Sequence, residues 1–258
     1  MEKSQKKQSK KKLPKLTENN YYDRASDLAY MSVSQYKSFM SCEARTMAKL
    51  NGEYEESGNN TALLVGSYVD AAIEGTLDKF KEEHPEIFKK DGNLKAEYVK
   101  AEEIVKKINA DEVFMNFLSG DKQEIFTFKL FDVDWKIKLD SLVRGKCITD
   151  LKTARSTDGL PKWRYDIQGA VYQKGVELNN QGKLPFYLAV ATKEEIPELN
   201  VFQIPQSTLD LALEEVQENL PHIMEVKNRL IQPTRCEKCD YCKLTKKTVI
   251  RNYNELLE

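Results

Sequence analysis

Two alternating segments, residues 135–143 and 147–153, restrict the fold of this chain more than any other feature of its sequence. The short polar break between them contains Gly145 and is typical of a tight turn, so the two segments are predicted to form antiparallel strands. A turn centred on Gly145 places Asp140 directly across from Asp150, with Cβ atoms about 4.5–5.5 Å apart. Like charges held at that distance repel each other, so the arrangement needs something that offsets the repulsion.

A divalent cation is the usual means of holding two carboxylates together. Mg²⁺ is bound by one or two carboxylates and keeps its remaining positions for water and substrate phosphates. Lys152 lies two residues after Asp150, and because side chains alternate along a strand, both are predicted to point to the same face. One face would then carry Asp140, Asp150 and Lys152. This set suits metal-assisted attack of water on a phosphodiester bond.

The length of 258 residues fits one large domain that can bury a sizeable core. The 40 basic and 41 acidic residues nearly balance, so any binding of nucleic acid must come from local charge. Residues 1–20 are predicted to be a disordered basic arm, either a tether for a phosphate backbone or a solvated tail. The lysine-rich start does not fit a secretory signal and no apolar run is long enough to span a bilayer, which predicts a cytoplasmic protein without membrane contact.

Residues 21–258 are predicted to form a single domain with a helical insertion at about residues 75–120. A helix at about residues 61–74 contains Gly66, and a glycine within a helix often marks the close approach of another backbone or a ligand. Asp70 lies one turn later and can face the same space. An exposed position on a half-buried helix fits the spacing of Asp70 equally well.

A parallel strand is predicted after the second acidic strand. A helix at about residues 162–179 is followed by an apolar run at residues 185–192, and strand, helix and strand with short connections form a βαβ crossover. The helix carries Arg164, Gln168 and Tyr172 at four-residue spacing. This row can hold a phosphate or orient the attacking water, although its spacing alone fits a solvated face better.

A third carboxylate is predicted upstream of the two aspartates. Residues 124–131 have a strand pattern and form a hairpin with the first acidic strand. If that hairpin is centred on Val133, Glu124 becomes a diagonal neighbour of Asp140. A shift of one residue in the turn would remove this alignment.

Four of the five cysteines have an arrangement typical of metal ligands: Cys42, Cys236, Cys239 and Cys242. A zinc ribbon normally supplies its ligands as two separated pairs. Three closely spaced cysteines with a remote fourth are more similar to an iron–sulfur pattern, so the spacing favours a [4Fe–4S] cluster over zinc, with free thiols as a further alternative. A metal bound there would link the first helix to the C-terminal part of the chain and have a structural role. Cys147 is predicted to be a core thiol.

Together these elements resemble the PD-(D/E)XK nuclease superfamily, and within it the branch of phage lambda exonuclease, RecE-type exonucleases and the RecB nuclease domain. The resemblance rests on "KLD" at residues 138–140, "DLK" at residues 150–152 and the helix with Gln168 and Tyr172, and it covers residues 66–191. It implies an α/β (α+β) fold with a restriction-endonuclease-like core, in which a mixed β-sheet of αβββαβ topology is flanked by helices.

The resemblance also implies roles for individual positions of this chain. Catalytic roles fall on Asp140, Asp150, Lys152, Glu124, Gln168 and Tyr172. The ligands of Mg²⁺ or Mn²⁺ would be Asp140, Asp150, Asp70 and the carbonyl of Leu151. Lys152 would activate or position the attacking water. The cysteine layout is similar to that of iron–sulfur nucleases of the AddB and CRISPR-adaptation type, which usually have a wider gap before the last cysteine.

One position departs from the family pattern, because many members of this branch have a histidine ligand where this chain has Asp70. The implied function is a metal-dependent deoxyribonuclease, an exonuclease of phage or prophage recombination or repair. Its partners would be duplex DNA with free ends and a single-strand annealing protein. Two alternatives stay open: a catalytically decayed nuclease fold that only binds DNA, and a structural metalloprotein held by the cysteine cluster. Related exonucleases form homo-oligomeric rings, but no residue pattern here reports an oligomer.

Overall fold

The computed structural model of this protein describes residues 13–56, 61–250 and 252–256. Most of the predicted N-terminal arm, residues 1–12, lies outside the described residues, and residues 13–20 form irregular structure and turns. Within the described part of the chain, no helix combines the length and the apolar character that crossing a membrane requires.

The helices that precede the strands form two groups. The first group is α1 (Arg24–Ala29), α2 (Val33–Ser41) and α3 (Glu43–Asn51), and the second is α4 (Thr61–Glu74), α5 (Leu77–Glu83), α6 (Ala96–Ala110) and α7 (Glu112–Phe117). Ser32 caps α2, because its side chain accepts a hydrogen bond from the Gln35 N–H at 3.2 Å. The second group packs its apolar side chains, such as Tyr68 and Ile104, against one face of the sheet.

The strands form a hairpin and a mixed four-stranded sheet. The hairpin is β1 (Glu124–Leu130) with β2 (Val133–Leu139), and the sheet has the order β3 (Ser141–Val143), β4 (Cys147–Ala154), β5 (Phe186–Thr192), β6 (Leu199–Gln203). β4 and β5 are parallel, as predicted, and the two outer strands pair antiparallel with them. Helices α8 (Tyr165–Leu178) and α9 (Gln206–Lys227) cover the other face. The predicted mixed sheet flanked by helices is confirmed.

The pairing of β3 with β4 has the predicted register. Ser141 lies opposite Thr149, and Gly145 adopts a left-handed φ of 71° in the turn between the two strands. Continued by one residue, this register places Asp140 level with Asp150. The predicted strand at residues 135–143 is nevertheless interrupted, because the chain bends at Asp140 between β2 and β3. The bend lets β2 pair with β1 while β3 pairs with β4.

The predicted register of the β1–β2 hairpin is wrong. The turn consists of Phe131 and Asp132, whose φ angles are 50° and 60°, and Val133 already belongs to β2. Glu124 therefore lies opposite Leu139 and not at the predicted diagonal position. Two consecutive non-glycine residues in the left-handed region are uncommon, so the sequence carried little signal for this turn.

Gly120 allows the chain to pass close to β3 before it enters β1. Its N–H donates to Ser141 Oγ at 3.1 Å, and the next residue, Asp121, forms a bridge with Leu142. A Cβ atom at Gly120 would lie 2.3 Å from the Leu142 carbonyl carbon, and backbone cannot move aside as a flexible side chain can.

We expect Gly120→Ala to lower the free energy of unfolding by about 1–3 kcal/mol, the usual effect of overpacking. The matched control is Gly159→Ala, since Gly159 has a φ of −83° and no atom lies within 4 Å of a Cβ built there. The control should change stability by less than about 1 kcal/mol. Urea denaturation measures both, and equal midpoints for the two variants would contradict the close approach.

Candidate active site

The bend after β2 places Asp140 beside the central strand β4. Asp140 Oδ2 accepts a hydrogen bond from the Leu151 N–H at 2.9 Å, so the carboxylate is tied to the backbone of β4 next to Asp150. Asp150 is buried, with 2% of its surface exposed. The register of β3 and β4 therefore brings two acidic side chains together where solvent reaches one of them poorly.

Lys152 lies between the two carboxylates. Its Nζ is 2.5 Å from Asp150 Oδ2 and 3.9 Å from Asp140 Oδ2, and it donates to the Leu151 carbonyl at 3.2 Å. Burial acts to lower the pKa of Lys152, but the charges of Asp150 and Asp140 outweigh burial and raise it. The structure thus brings the three predicted side chains into one group.

Lys152 offsets only part of the negative charge of the neighbouring carboxylates. Burial raises the pKa of Asp140 well above its ordinary value, the charge of Asp150 raises it further, and Lys152 opposes both effects. Burial also raises the pKa of Asp70, to about 7. Carboxylates that repel one another in a poorly solvated place are stabilised in their charged form by a cation.

Asp70 faces the same space as Asp140. A Cβ atom at Gly66 would lie 3.2 Å from Thr153 Oγ1, so the glycine lets α4 lie close to β4. One turn later, Asp70 lines a cavity of about 510 Å³ together with Asp140 and Glu74. Asp70 therefore faces this cavity and does not take the exposed position that was the alternative.

Two polar side chains of α8, Gln168 and Tyr172, point toward the site. Gln168 Nε2 donates to Asp150 Oδ1 at 2.7 Å, and both residues are buried. Tyr172, one turn later, packs edge-on against Phe186 with ring centroids 6.2 Å apart. Burial raises the pKa of Tyr172 well above its ordinary value. The alternative of a solvated face is therefore wrong for these two residues.

Two other predicted site residues lie in separate ion pairs. Arg164 precedes α8 with a left-handed φ of 52°, and its guanidinium contacts Asp166 at 2.9 Å and Glu215 at 2.6 Å. Glu124 lies 3.5 Å from the Arg144 guanidinium. The shifted hairpin register is the reason that Glu124 is not the third carboxylate beside Asp140.

Sequence reasoning missed four residues around the group. The Tyr165 ring lies 5.8 Å from Lys152 Nζ, and Lys37 Nζ lies 5.6 Å from the same ring. In the cavity that Asp140 lines, Lys138 Nζ lies 5.3 Å from the ring of Tyr22. Lys138 stands within the "KLD" motif, where it could have been noticed, whereas the positions of the other three depend on the tertiary fold.

The oxygen atoms of this site suit a hard divalent cation. Asp150 Oδ2 is buried, and its polar contact among the described atoms is the ion pair with Lys152 Nζ at 2.5 Å. Asp140, Asp70 and the Leu151 carbonyl offer further oxygen atoms, which are the ligands that Mg²⁺ and Mn²⁺ prefer. In the structure the ammonium of Lys152 lies within 4 Å of both carboxylates.

The four predicted cysteine ligands also come together, in a small cluster of their own. Their sulfur atoms all lie within 4.8 Å of one another: Cys42, Cys236, Cys239 and Cys242. Cys147 is buried at the start of β4 with its sulfur 3.8 Å from Thr149 Oγ1, which agrees with a core thiol.

Residues 32–245 match the model of a protein family described as a PDDEXK-like domain of unknown function (DUF3799). A protein from Eubacterium rectale that is named "putative exonuclease" is 44% identical in sequence to this chain. Its crystal structure matches the present structure with a TM-score of 0.90. The match covers 94% of this chain and 98% of that chain. A match to the crystal structure of SSO0001 has 14% sequence identity, covers 81% of this chain and 90% of that chain, and has a TM-score of 0.29. No curated protein matches the sequence.

The family match spans most of the chain and contains the whole group around Asp140, Asp150 and Lys152. The order of elements agrees with it, since a helix precedes the strands that carry the acidic residues and another helix follows them. The chain therefore belongs to the family of PDDEXK-like domains, within the PD-(D/E)XK nuclease superfamily.

Proposed function

We propose that this protein is a metal-dependent deoxyribonuclease that hydrolyses phosphodiester bonds of linear duplex DNA as an exonuclease. The observation that carries the proposal is the group of Asp140, Asp150 and Lys152 on and beside β4. The resemblance of the same motifs to RecE-type exonucleases extends the proposal to DNA recombination or repair. The 44% identity to the Eubacterium rectale protein, whose name is that of an exonuclease, supports action at DNA ends.

Mg²⁺ or Mn²⁺ would be held by the carboxylates of Asp140, Asp150 and Asp70 and by the Leu151 carbonyl. When bound, such a cation supplies Lewis-acid stabilisation of the charge that develops on the phosphate. The Leu151 N–H fixes one oxygen of Asp140, which leaves the other oxygen for the cation. In Asp150, the hydrogen bond from Gln168 fixes Oδ1, and Oδ2 lies in the ion pair with Lys152.

Lys152 and Gln168 have different tasks in this proposal. The ammonium of Lys152 would orient the attacking water, since its Nζ lies within 4 Å of both carboxylates and donates to the Leu151 carbonyl. Gln168 holds the Asp150 carboxylate in its rotamer by donating to Oδ1. Side chains that orient a metal ligand in this way usually support both metal affinity and rate.

A cleavage assay on linear and covalently closed circular duplexes tests the proposal, with Mg²⁺, Mn²⁺ or a chelator in parallel reactions. We expect degradation of linear DNA in either metal, an intact circle, and no cleavage in the chelator. Cleavage of the circle would show an endonuclease. Salt-sensitive DNA binding without cleavage in any metal would point to the decayed nuclease fold.

We expect Gln168→Leu to lower the cleavage rate about 10–100-fold, because Asp150 Oδ1 loses its hydrogen-bond donor and the carboxylate loses its fixed orientation. Rates measured across a Mg²⁺ titration should also show a higher half-saturating metal concentration. The control is Gln203→Leu, a glutamine exposed on β6. If both variants cleave at the wild-type rate, the orienting role of Gln168 is excluded.

A further inference from the structure

The cysteine cluster joins two parts of the chain that are far apart in sequence. Cys42 lies at the corner between α2 and α3, and the three other ligands lie in the loop after α9 and in α10 (Asp240–Leu244). Cys42 and Cys242 are buried, with 3% and 0% of their surface exposed. The sulfur atoms are free thiols, not paired as disulfides.

We propose that these four cysteines bind a single Zn²⁺ ion as thiolates in a closed tetrahedral site. This inference is independent of the proposed nuclease activity. It differs from the [4Fe–4S] cluster that the sequence spacing favours.

The distances between the sulfur atoms carry the proposal. Cys42 Sγ lies 3.6 Å from Cys242 Sγ and 3.8 Å from Cys239 Sγ, and Cys236 Sγ lies 3.9 Å from Cys242 Sγ. A Zn–S bond of about 2.3 Å gives a regular tetrahedron whose edges are about 3.8 Å long. Three of the six separations agree with those edges, and the other three are at most 4.8 Å, so the four sulfur atoms surround a space of the size that one ion takes.

A [4Fe–4S] cubane does not fit the same four atoms. In a cubane each cysteine binds a different iron, so two cysteine sulfur atoms are separated by two Fe–S bonds and an iron–iron edge. Sulfur atoms that all lie within 4.8 Å of one another leave no room for four irons and four sulfides between them. A compact site of four thiolates around one ion is the geometry typical of structural zinc.

A backbone N–H and a guanidinium lie beside two of the four cysteines, Cys236 and Cys242. The Cys239 N–H donates to Cys236 Sγ at 3.3 Å, in a turn where Glu237 has a left-handed φ of 57°. The Arg235 guanidinium donates to the Cys242 carbonyl at 2.6 Å. Four thiolates and Zn²⁺ have a net charge of −2, and backbone N–H groups and a nearby guanidinium reduce the cost of that charge.

A hydrogen-bond network beside the cluster fixes the same two parts of the chain. Glu43, next to Cys42, accepts from the Thr234 N–H at 2.7 Å and from the Thr234 hydroxyl at 2.8 Å. The other oxygen of Glu43 is 2.7 Å from His222 Nε2 on α9. These bonds hold the loop after α9 against the start of α3, which places the first ligand beside the other three without a metal.

The test measures metal and sulfide in the full-length protein. The protein is produced with iron and zinc both supplied, purified without oxygen, and assayed for zinc, iron and acid-labile sulfide. We expect one zinc per chain and no sulfide. Iron with sulfide would overturn the proposal, and so would a protein without metal whose four thiols all react as free cysteines.

A matched pair of variants locates the ion. We expect Cys239→Ser to lose most of the bound zinc, since it removes one of the four ligands. Cys239 is chosen because it is only partly buried. Cys147→Ser should keep the zinc, since Cys147 is not a ligand. Replacement of zinc by Co²⁺ should give the intense visible and near-ultraviolet bands of tetrahedral cobalt thiolate, which the carboxylate site cannot produce. Asp150→Asn should leave these bands unchanged, so a failure of the zinc proposal and a failure of the nuclease proposal are told apart. Equal zinc content in Cys239→Ser and wild type would overturn the assignment, and if Cys239→Ser does not fold, the metal and sulfide content of the wild type still decides.

Discussion

Asp150→Asn is expected to lower the cleavage of linear duplex DNA by about 10³-fold or more. The reason is the loss of the buried negative charge, since a metal ion contributes several kcal/mol of transition-state stabilisation and each 1.36 kcal/mol is a factor of ten in rate. Asparagine keeps an oxygen that can accept the hydrogen bond from Gln168, so the strand and the helix should stay in place. The assay is the initial rate on end-labelled linear DNA in saturating Mg²⁺.

Asp134→Asn is the control for this variant. Asp134 belongs to the neighbouring strand β2 and forms a partly exposed ion pair with Lys129 at 3.6 Å, so it has the same chemistry outside the site. It should cleave at the wild-type rate. Comparable thermal unfolding of all three proteins would show that the loss in Asp150→Asn is not a loss of fold. A wild-type rate in Asp150→Asn would remove this residue from the catalytic group.

Lys152→Ala is expected to lower the cleavage rate about 10²–10⁴-fold, the range usual for a side chain that positions or transfers a proton in the reaction. Its ammonium lies within 4 Å of both carboxylates, 3.9 Å from Asp140 and 2.5 Å from Asp150, and no other described cation forms an ion pair with either. Removing it takes away the donor that orients the water but leaves every proposed metal ligand. The loss should therefore appear in the rate at saturating Mg²⁺ and not as weaker metal binding.

Lys129→Ala on β1 is the control, since that lysine is exposed and its ion pair lies outside the site. A measured Mn²⁺ affinity no weaker than that of the wild type, together with a large loss of rate, would fit the role given to Lys152. If Lys152→Ala instead cleaves as fast as Lys129→Ala, the attacking water is oriented by some other group.

The core of the site was predictable because a local signal set its register. Gly145 is suited to the left-handed φ of the turn between β3 and β4, and that turn alone determines that Asp140 lies level with Asp150. Strand alternation then places Lys152 on the face of Asp150. Each of these steps spans fewer than about fifteen residues, the range in which turn chemistry and periodicity act.

The position of Glu124 was not predictable, because the turn that sets its register lacks such a local signal. The β1–β2 turn uses Phe131 and Asp132 in the left-handed region, without a glycine or asparagine that would mark the turn. The predicted centre at Val133 was therefore misplaced, and a shifted register moves a side chain to a different neighbour. Glu124 consequently lies beside Arg144.

Residues outside the strands depended on long-range packing or on the family resemblance. Gln168 and Tyr172 were assigned by resemblance, since their spacing alone favoured a solvated face, and the structure turns both inward. The Tyr165 ring lies near both Lys152 and Lys37 only because α2 and α8 pack against each other. No pattern in the sequence reports that contact.

Isothermal titration calorimetry of Mn²⁺ binding to the purified wild type and to Asp150→Asn, in parallel, tests the central claim most directly. The claim is that Asp140 and Asp150 are held together to bind a divalent cation, so the wild type should bind Mn²⁺ and Asp150→Asn should bind it at least about tenfold more weakly. Equal affinities in the two proteins, or no binding of Mn²⁺ by the wild type, would contradict it.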